Sequence, residues 1–86
     1  MIKPTPRQLD VLREVRSFQR RKGYTPTLRD LGEALGMRST STVDSHLDAL
    51  ERKGLLQRVR HITRGLIVTP AGHAALDARF AQEAAS

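Results

Sequence analysis

The 86-residue chain contains no cysteine. Disulfides and thiolate metal sites are therefore excluded, and a reducing cytoplasm is the natural setting. No apolar run approaches the roughly 20 residues that span a bilayer. The opening MIKPTPRQ also lacks the apolar core of a signal peptide. A soluble, intracellular chain with no membrane partner is expected. Neither GxxxxGKS/T nor GxGxxG is present, so nucleotide binding has no support, and HExxH and CxxC are missing too. The histidines are His46, His61 and His73. A catalytic reading requires converging partners around one of them, and the sequence supplies none. No enzyme activity, cofactor, metal or small-molecule ligand is expected. At this length the chain makes one small domain with a single core and marginal stability.

Basic residues are what the sequence does have. The net charge is +6, and it is unevenly spread. Residues 1–22 carry seven Lys/Arg against two acids, and residues 52–64 carry five Lys/Arg and no acid. The intervening residues 23–51 are net −3, and the tail from residue 65 is net −1. Two basic zones bracketing an acidic middle attract phosphate backbones and release their condensed counterions. The alternative is a plain solvated basic surface, because net charge speaks to partners and not to fold.

Helix punctuation is clear. Thr5-Pro6 opens a first helix, since threonine caps and proline fits the first helical position. Leu9, Val11, Leu12, Val15 and Phe18 form its apolar stripe, and Lys22-Gly23 closes it. Thr27 opens a second, short helix, with Asp30 three residues on completing a capping box. Leu28, Leu31 and Leu35 are its buried face, and Gly36 ends it. A third helix begins at Ser39, Thr40 or Ser41 and runs to about Lys53, where Gly54 stops it. Val43, Leu47 and Leu50 point inward. Ser41, Thr42, Ser45, Ala49 and Arg52 fall on the opposite side, flanked by Asp44 and Asp48. His46 lies beside the inward stripe. Two helices joined by a tight glycine turn across residues 25–56 make a helix-turn-helix, whose second helix suits the DNA major groove.

After Gly54 the period changes. Residues 55–60 and 66–69 are short, aliphatic and β-branched, and His61 to Gly65 separate them. This reads as a β-hairpin with a basic loop. Thr69-Pro70 repeats the helix-start signal, and a final alanine-rich helix is expected from Pro70 to about Ala84. Gly72 weakens its first turn, and Leu76 and Phe80 are set to pack on the domain, ahead of the alternative of a dimer contact. The fold class is α+β, mainly α: a winged helix-turn-helix with a three-helix core, a two-stranded β wing and a C-terminal helix. Residues 1–69 make the DNA-binding domain and residues 70–86 a helical extension.

TPRQ at residues 5–8, GYTPTLRDLGEALGMRS at 23–39, HLDALERKGLL at 46–56 and RG at 64–65 carry a resemblance. Residues 3–68 resemble, without insertion or deletion, the N-terminal DNA-binding domain of the LexA-type SOS repressors. The resemblance implies operator binding by a helix matching residues 39–53, a wing contact near Arg64-Gly65, and homodimers on palindromic sites. Three readout positions depart from the family. Family members often have Asn in place of Ser41 and Glu in place of Asp44 and Ser45, so base preference is expected to differ. The self-cleaving Ser-Lys peptidase domain of full repressors has no counterpart within these 86 residues. Ala71-Gly72 matches the dipeptide such repressors cleave, but it lies too near the wing to play that part. The native-looking start and untagged end are expected of a natural short protein.

Sequence-specific binding of double-stranded DNA follows as the expected function, with repression ahead of activation and a cytoplasmic, nucleoid-associated location. Arg38, Ser39, Ser41, Thr42, Asp44 and Ser45 are the candidate readout and entry residues. Arg7, Arg52, Lys53, Arg60 and Arg64 are the candidate phosphate or wing contacts, and Thr27 at the start of the second helix completes the set. Two alternatives stand: a winged-helix protein–protein adaptor and a sequence-neutral architectural DNA binder. A DNA binder loses affinity steeply with salt and an adaptor does not. An architectural binder is indifferent to Ser41→Ala and Ser45→Ala.

Overall fold

Four hydroxyl caps set the helix starts in the computed structural model, which describes residues 3–59 and 65–81. Thr5 opens α1 (Pro6–Lys22), Thr27 opens α2 (Leu28–Leu35), Ser39 opens α3 (Thr40–Arg52) and Thr69 opens α4 (Pro70–Arg79). Two of them are reciprocal boxes. Thr5 Oγ1 accepts from the Gln8 N–H while Gln8 Oε1 accepts from the Thr5 N–H, both at 3.1 Å. Thr27 and Asp30 repeat the arrangement at 3.0 Å in each direction. Each box satisfies backbone donors that the helix itself leaves without partners.

The inward stripes meet in one core. Leu9, Leu12 and Val15 of α1, Leu31 of α2, and Val43, Leu47 and Leu50 of α3 are buried together with Leu56, Val68 and Leu76. Leu28, Leu35 and Phe80 pack partly against them. Phe18 departs from the expected stripe. It lies near the outer end of α1 and is only partly buried, edge-on to Tyr24 with 5.5 Å between ring centroids and with the Arg21 guanidinium 5.9 Å away.

Strands β1 (Leu56–Arg58) and β2 (Leu66–Val68) pair antiparallel, with Leu56 opposite Val68 and Arg58 opposite Leu66. They are shorter than the aliphatic runs in the sequence. The Val59 N–H still reaches the Gly65 carbonyl at 2.7 Å, and the Thr69 N–H reaches the Leu55 carbonyl at 3.2 Å. In this register the backbone groups of residues 56, 58, 66 and 68 face away from the partner strand. Side chains cover two of these edge groups. Glu51 accepts from the Arg58 N–H at 3.2 Å, and Gln19 donates to the Leu66 carbonyl at 2.9 Å. The hairpin is thereby tied to α3 on one edge and to α1 on the other, and a bare strand edge is avoided.

Helix α4 is part of the core, because Leu76 is fully buried. The buried Arg16 of α1 donates to Asp77 Oδ1 at 2.8 Å and lies 3.4 Å from His73 Nδ1. Gly72 has a packing reason beyond its weak helix propensity: a Cβ there would collide with the Leu55 carbonyl. The regular helix ends at Arg79, short of the expected Ala84. At Phe80 the backbone leaves helical geometry (φ −117°, ψ 42°), and the ring sits 4.7 Å from the Arg13 guanidinium. Residues 82–84 lie outside the described residues.

Candidate nucleic-acid interface

The α2–α3 corner is made by two glycines with different tasks. Gly36 adopts φ +70°, a left-handed conformation that lets the chain leave α2 abruptly. Gly32, inside α2, is buried, and its carbonyl accepts from the Met37 N–H at 2.8 Å. A Cβ on Gly32 would stand only 2.8 Å from the Met37 carbonyl oxygen. The turn therefore lies directly on α2, and this fixes where α3 starts. Gly32 was not singled out in the sequence, though the glycine inside a leucine-rich helix was its visible signal.

Beyond that corner α3 is two-sided. Val43, Leu47 and Leu50 are fully buried, whereas Thr40, Ser41, Thr42 and Ser45 are exposed on the side away from the core. Small hydroxyls both donate and accept, and they allow close approach of a partner. Ser39 caps the helix by accepting from the Ser41 N–H at 3.2 Å. Ala49 does not belong to the outer face as expected. It is buried at 9% exposure. The angle around an isolated helix does not register neighbouring elements: strand β1 packs on α3, and Lys53, one turn beyond Ala49, reaches back to Lys3 and Gln8.

An open cleft lies over the turn, lined by Arg29, Gly32, Glu33, Gly36, Met37, Arg38 and Thr40. Arg38 and Arg29 are exposed there, and Arg29 reaches Glu33 at 3.7 Å. Arg29 is a cation the sequence reading did not select. The first turn of α3, with its positive dipole end, borders the same cleft through Thr40.

The other candidate residues divide. Arg52 is well exposed, in a loose i,i+4 pair with Asp48 at 3.4 Å. Arg7 donates to the Leu35 carbonyl at 2.8 Å, closing the C-terminal end of α2, and stands 3.6 Å from Asp10. Lys53 donates to Gln8 Oε1 at 2.6 Å and to the Lys3 carbonyl at 3.1 Å. Both cations therefore hold elements of the domain together. Thr27 is occupied as the cap of α2. Asp44, half exposed, accepts from Arg58 Nη2 at 2.8 Å. Arg58 was passed over in the sequence because nothing local links it to α3. Arg60 and Arg64 lie outside the described residues. Among the described residues no three His, Cys, Asp or Glu side chains are grouped to hold a metal ion. No helix among them is long and apolar enough to cross a membrane.

Comparison with known proteins gives one consistent result. A model of the LexA DNA binding domain matches residues 1–65. The LexA repressor of Anaeromyxobacter dehalogenans (strain 2CP-1 / ATCC BAA-258) is 53% identical over 72 residues, covering 84% of this chain and 32% of that protein. The LexA repressor of Oenococcus oeni is 46% identical over 70 residues, covering 81% of this chain and 33% of the relative. That of Bacillus subtilis (strain 168) is 50% identical over 58 residues, covering 67% and 28%. The chain thus spans about a third of the length of the curated relatives it matches.

Proposed function

The chain belongs to the LexA DNA-binding domain family, and on that footing we propose that it binds double-stranded DNA at a preferred sequence and represses transcription by occupying its operator. The observation that carries this reading is the outward face of α3, where Thr40, Ser41, Thr42 and Ser45 stand exposed opposite a fully buried stripe. A B-form major groove is about 12 Å wide and admits one helix. Side chains this short bring the helix backbone close to the base edges. Ser41, Thr42 and Ser45 read bases, and Ser39 stands at the entry.

Phosphates on one flank are taken by Arg38 and Arg29 at the cleft, beside the positive end of the α3 dipole. Arg52 and the wing arginines Arg60 and Arg64 serve the other flank. Arg7 and Lys53 act at one remove, by fixing α2 and α3 on α1. Residues 1–69 form the DNA-contacting unit, and residues 70–86 contribute α4 as a buttress behind α1. Two copies bind a palindromic site on the nucleoid, in the cytoplasm, and no reaction is catalysed by these residues.

The test is selection of bound duplexes from a random pool, followed by titration of the selected duplex at several salt concentrations. A palindromic consensus and a steep inverse salt dependence support the proposal, and the half-site spacing gives the dimer geometry. Duplex binding without a consensus points to an architectural binder. No duplex binding at low salt points to a protein-binding adaptor.

A further inference from the structure

An acid on a DNA-reading helix is a difficulty, since it faces phosphates of its own sign. Asp44 occupies that position. It flanks the hydroxyl face of α3, with its side chain 51% exposed. Its Oδ1 receives Arg58 Nη2 at 2.8 Å, a charge-assisted bond from a guanidinium only 19% exposed. Arg58 is itself anchored, because its backbone N–H is held by Glu51 Oε2 on the last turn of α3. The wing strand therefore delivers a half-buried cation to the edge of the reading face and holds it there at two points.

We propose that Arg58 is a positioning residue that serves as the built-in counter-ion of the recognition helix. It draws the Asp44 carboxylate aside and neutralises it, so that Asp44 takes no part in base readout and the hydroxyls of Ser41, Thr42 and Ser45 face the groove without a repelling charge beside them. This rests on the DNA-binding reading above. It also gives the wing a second task, as the support for the charge balance of α3. A carboxylate accepting from a cytosine amino group would need to leave a short bond to a largely buried arginine, and that partner would lose its counter-charge.

Wild type, Asp44→Asn, Arg58→Gln, Arg58→Lys and the double variant Asp44→Asn/Arg58→Gln separate these roles. Each is put through duplex selection and a salt titration on the selected duplex, with circular dichroism confirming the fold. Arg58→Gln leaves Asp44 uncompensated and is expected to bind all duplexes roughly ten-fold more weakly. Arg58→Lys keeps the charge and stays near wild type. Asp44→Asn releases a guanidinium toward the DNA. It keeps the wild-type consensus, binds at least as tightly at low salt, and steepens the log–log salt slope by about 0.9, one phosphate. The double variant returns toward wild-type affinity.

A change of preferred base at one position in Asp44→Asn would overturn the proposal and make Asp44 a reader, while leaving the DNA-binding reading intact. So would equal weakening by Arg58→Lys and Arg58→Gln, which marks lost packing and not lost charge. Should Arg58→Gln fail to fold, the consensus and slope of Asp44→Asn decide alone. Failure of the folded wild type to bind any duplex would overturn both readings together.

Discussion

Leu76→Ala asks how firmly α4 is docked on the domain, since Leu76 is the one large apolar side chain this helix buries and the family match ends at residue 65. Leu76 is fully buried in the same cluster as Leu12, Leu47 and Leu56. Truncating a leucine so placed removes its transfer energy and leaves a cavity, for a loss of about 2–5 kcal/mol. Arg16 is held to α4 by Asp77 and His73, so the helix cannot readily slide inward to fill the space. The middle of the range, about 3 kcal/mol, is therefore expected. A small domain loses roughly 4–8 °C of Tm per kcal/mol, so Tm should fall by about 12–24 °C. Urea unfolding followed by far-ultraviolet circular dichroism measures the change directly, with Ala78→Ser at an exposed position of the same helix as the control. The control should stay within about 0.5 kcal/mol of wild type. A loss below about 1 kcal/mol for Leu76→Ala would mean that α4 is not docked as described, because even a poorly packed leucine contributes more than that when fully buried.

Gly72→Ala should destabilise the protein although alanine favours the helix by about 1 kcal/mol. The added Cβ meets the Leu55 carbonyl and overpacking costs about 1–3 kcal/mol, so the urea midpoint should drop. Thr27→Ala removes the hydroxyl half of a capping box on a helix of only eight residues, leaving the Asp30 N–H without its acceptor, and should cost about 1 kcal/mol in the same assay. Ser41→Ala and Ser45→Ala should each alter base preference at one position of the selected site, by about 1 kcal/mol per lost hydroxyl contact. Arg38→Ala should instead weaken all duplexes alike, which binding to the selected and a scrambled duplex distinguishes.

What was legible in the sequence is what depends on neighbours within one or two turns. Thr5 with Gln8, Thr27 with Asp30, and Gly36 at the corner each act over three or four residues, so residue type and spacing suffice to place them. The inward stripe of α3 is legible for the same reason, since Val43, Leu47 and Leu50 follow the helical period. The contacts that assign roles to the cations are not local. Arg7 reaches Leu35 across 28 residues, Lys53 reaches Gln8 across 45, and Arg16 reaches Asp77 across 61. No periodicity encodes which of several arginines meets a distant carbonyl or carboxylate. Ala49 illustrates the same limit. Its angle around the helix is right for the outer face, yet it is buried, because burial depends on the neighbouring elements as well as on the helical period. The family resemblance pointed to the same fold and to the same third helix as the residue pattern. It did not reveal that Asp44 is tied to the wing.

That division of the cations has a measurable consequence, because the +6 charge overstates what reaches DNA. Around α3, Arg29, Arg38 and Arg52 are exposed, and the pairs of Arg29 with Glu33 at 3.7 Å and Arg52 with Asp48 at 3.4 Å are loose. Exposed pairs of this kind contribute about 1 kcal/mol at most and are easily exchanged for phosphate. Arg7, Lys53 and Arg58 are held by bonds of 2.6–2.8 Å to other parts of the chain. Releasing them would loosen α2, α1 or the wing, so they should stay in place on binding. At about −0.9 per neutralised phosphate, the three exposed arginines give a log–log salt slope near −3 per bound chain, and near −4.5 if Arg60 and Arg64 also engage. A slope of about −7 that becomes shallower on Arg7→Gln or Lys53→Ala would show that the internally bonded cations engage phosphate as well, and would refute the division between structural and DNA-contacting charges. Lys53→Ala provides the complementary check: it should lower the urea midpoint while leaving the salt slope unchanged, since its amine bridges α3 to Lys3 and Gln8 and neutralises no phosphate.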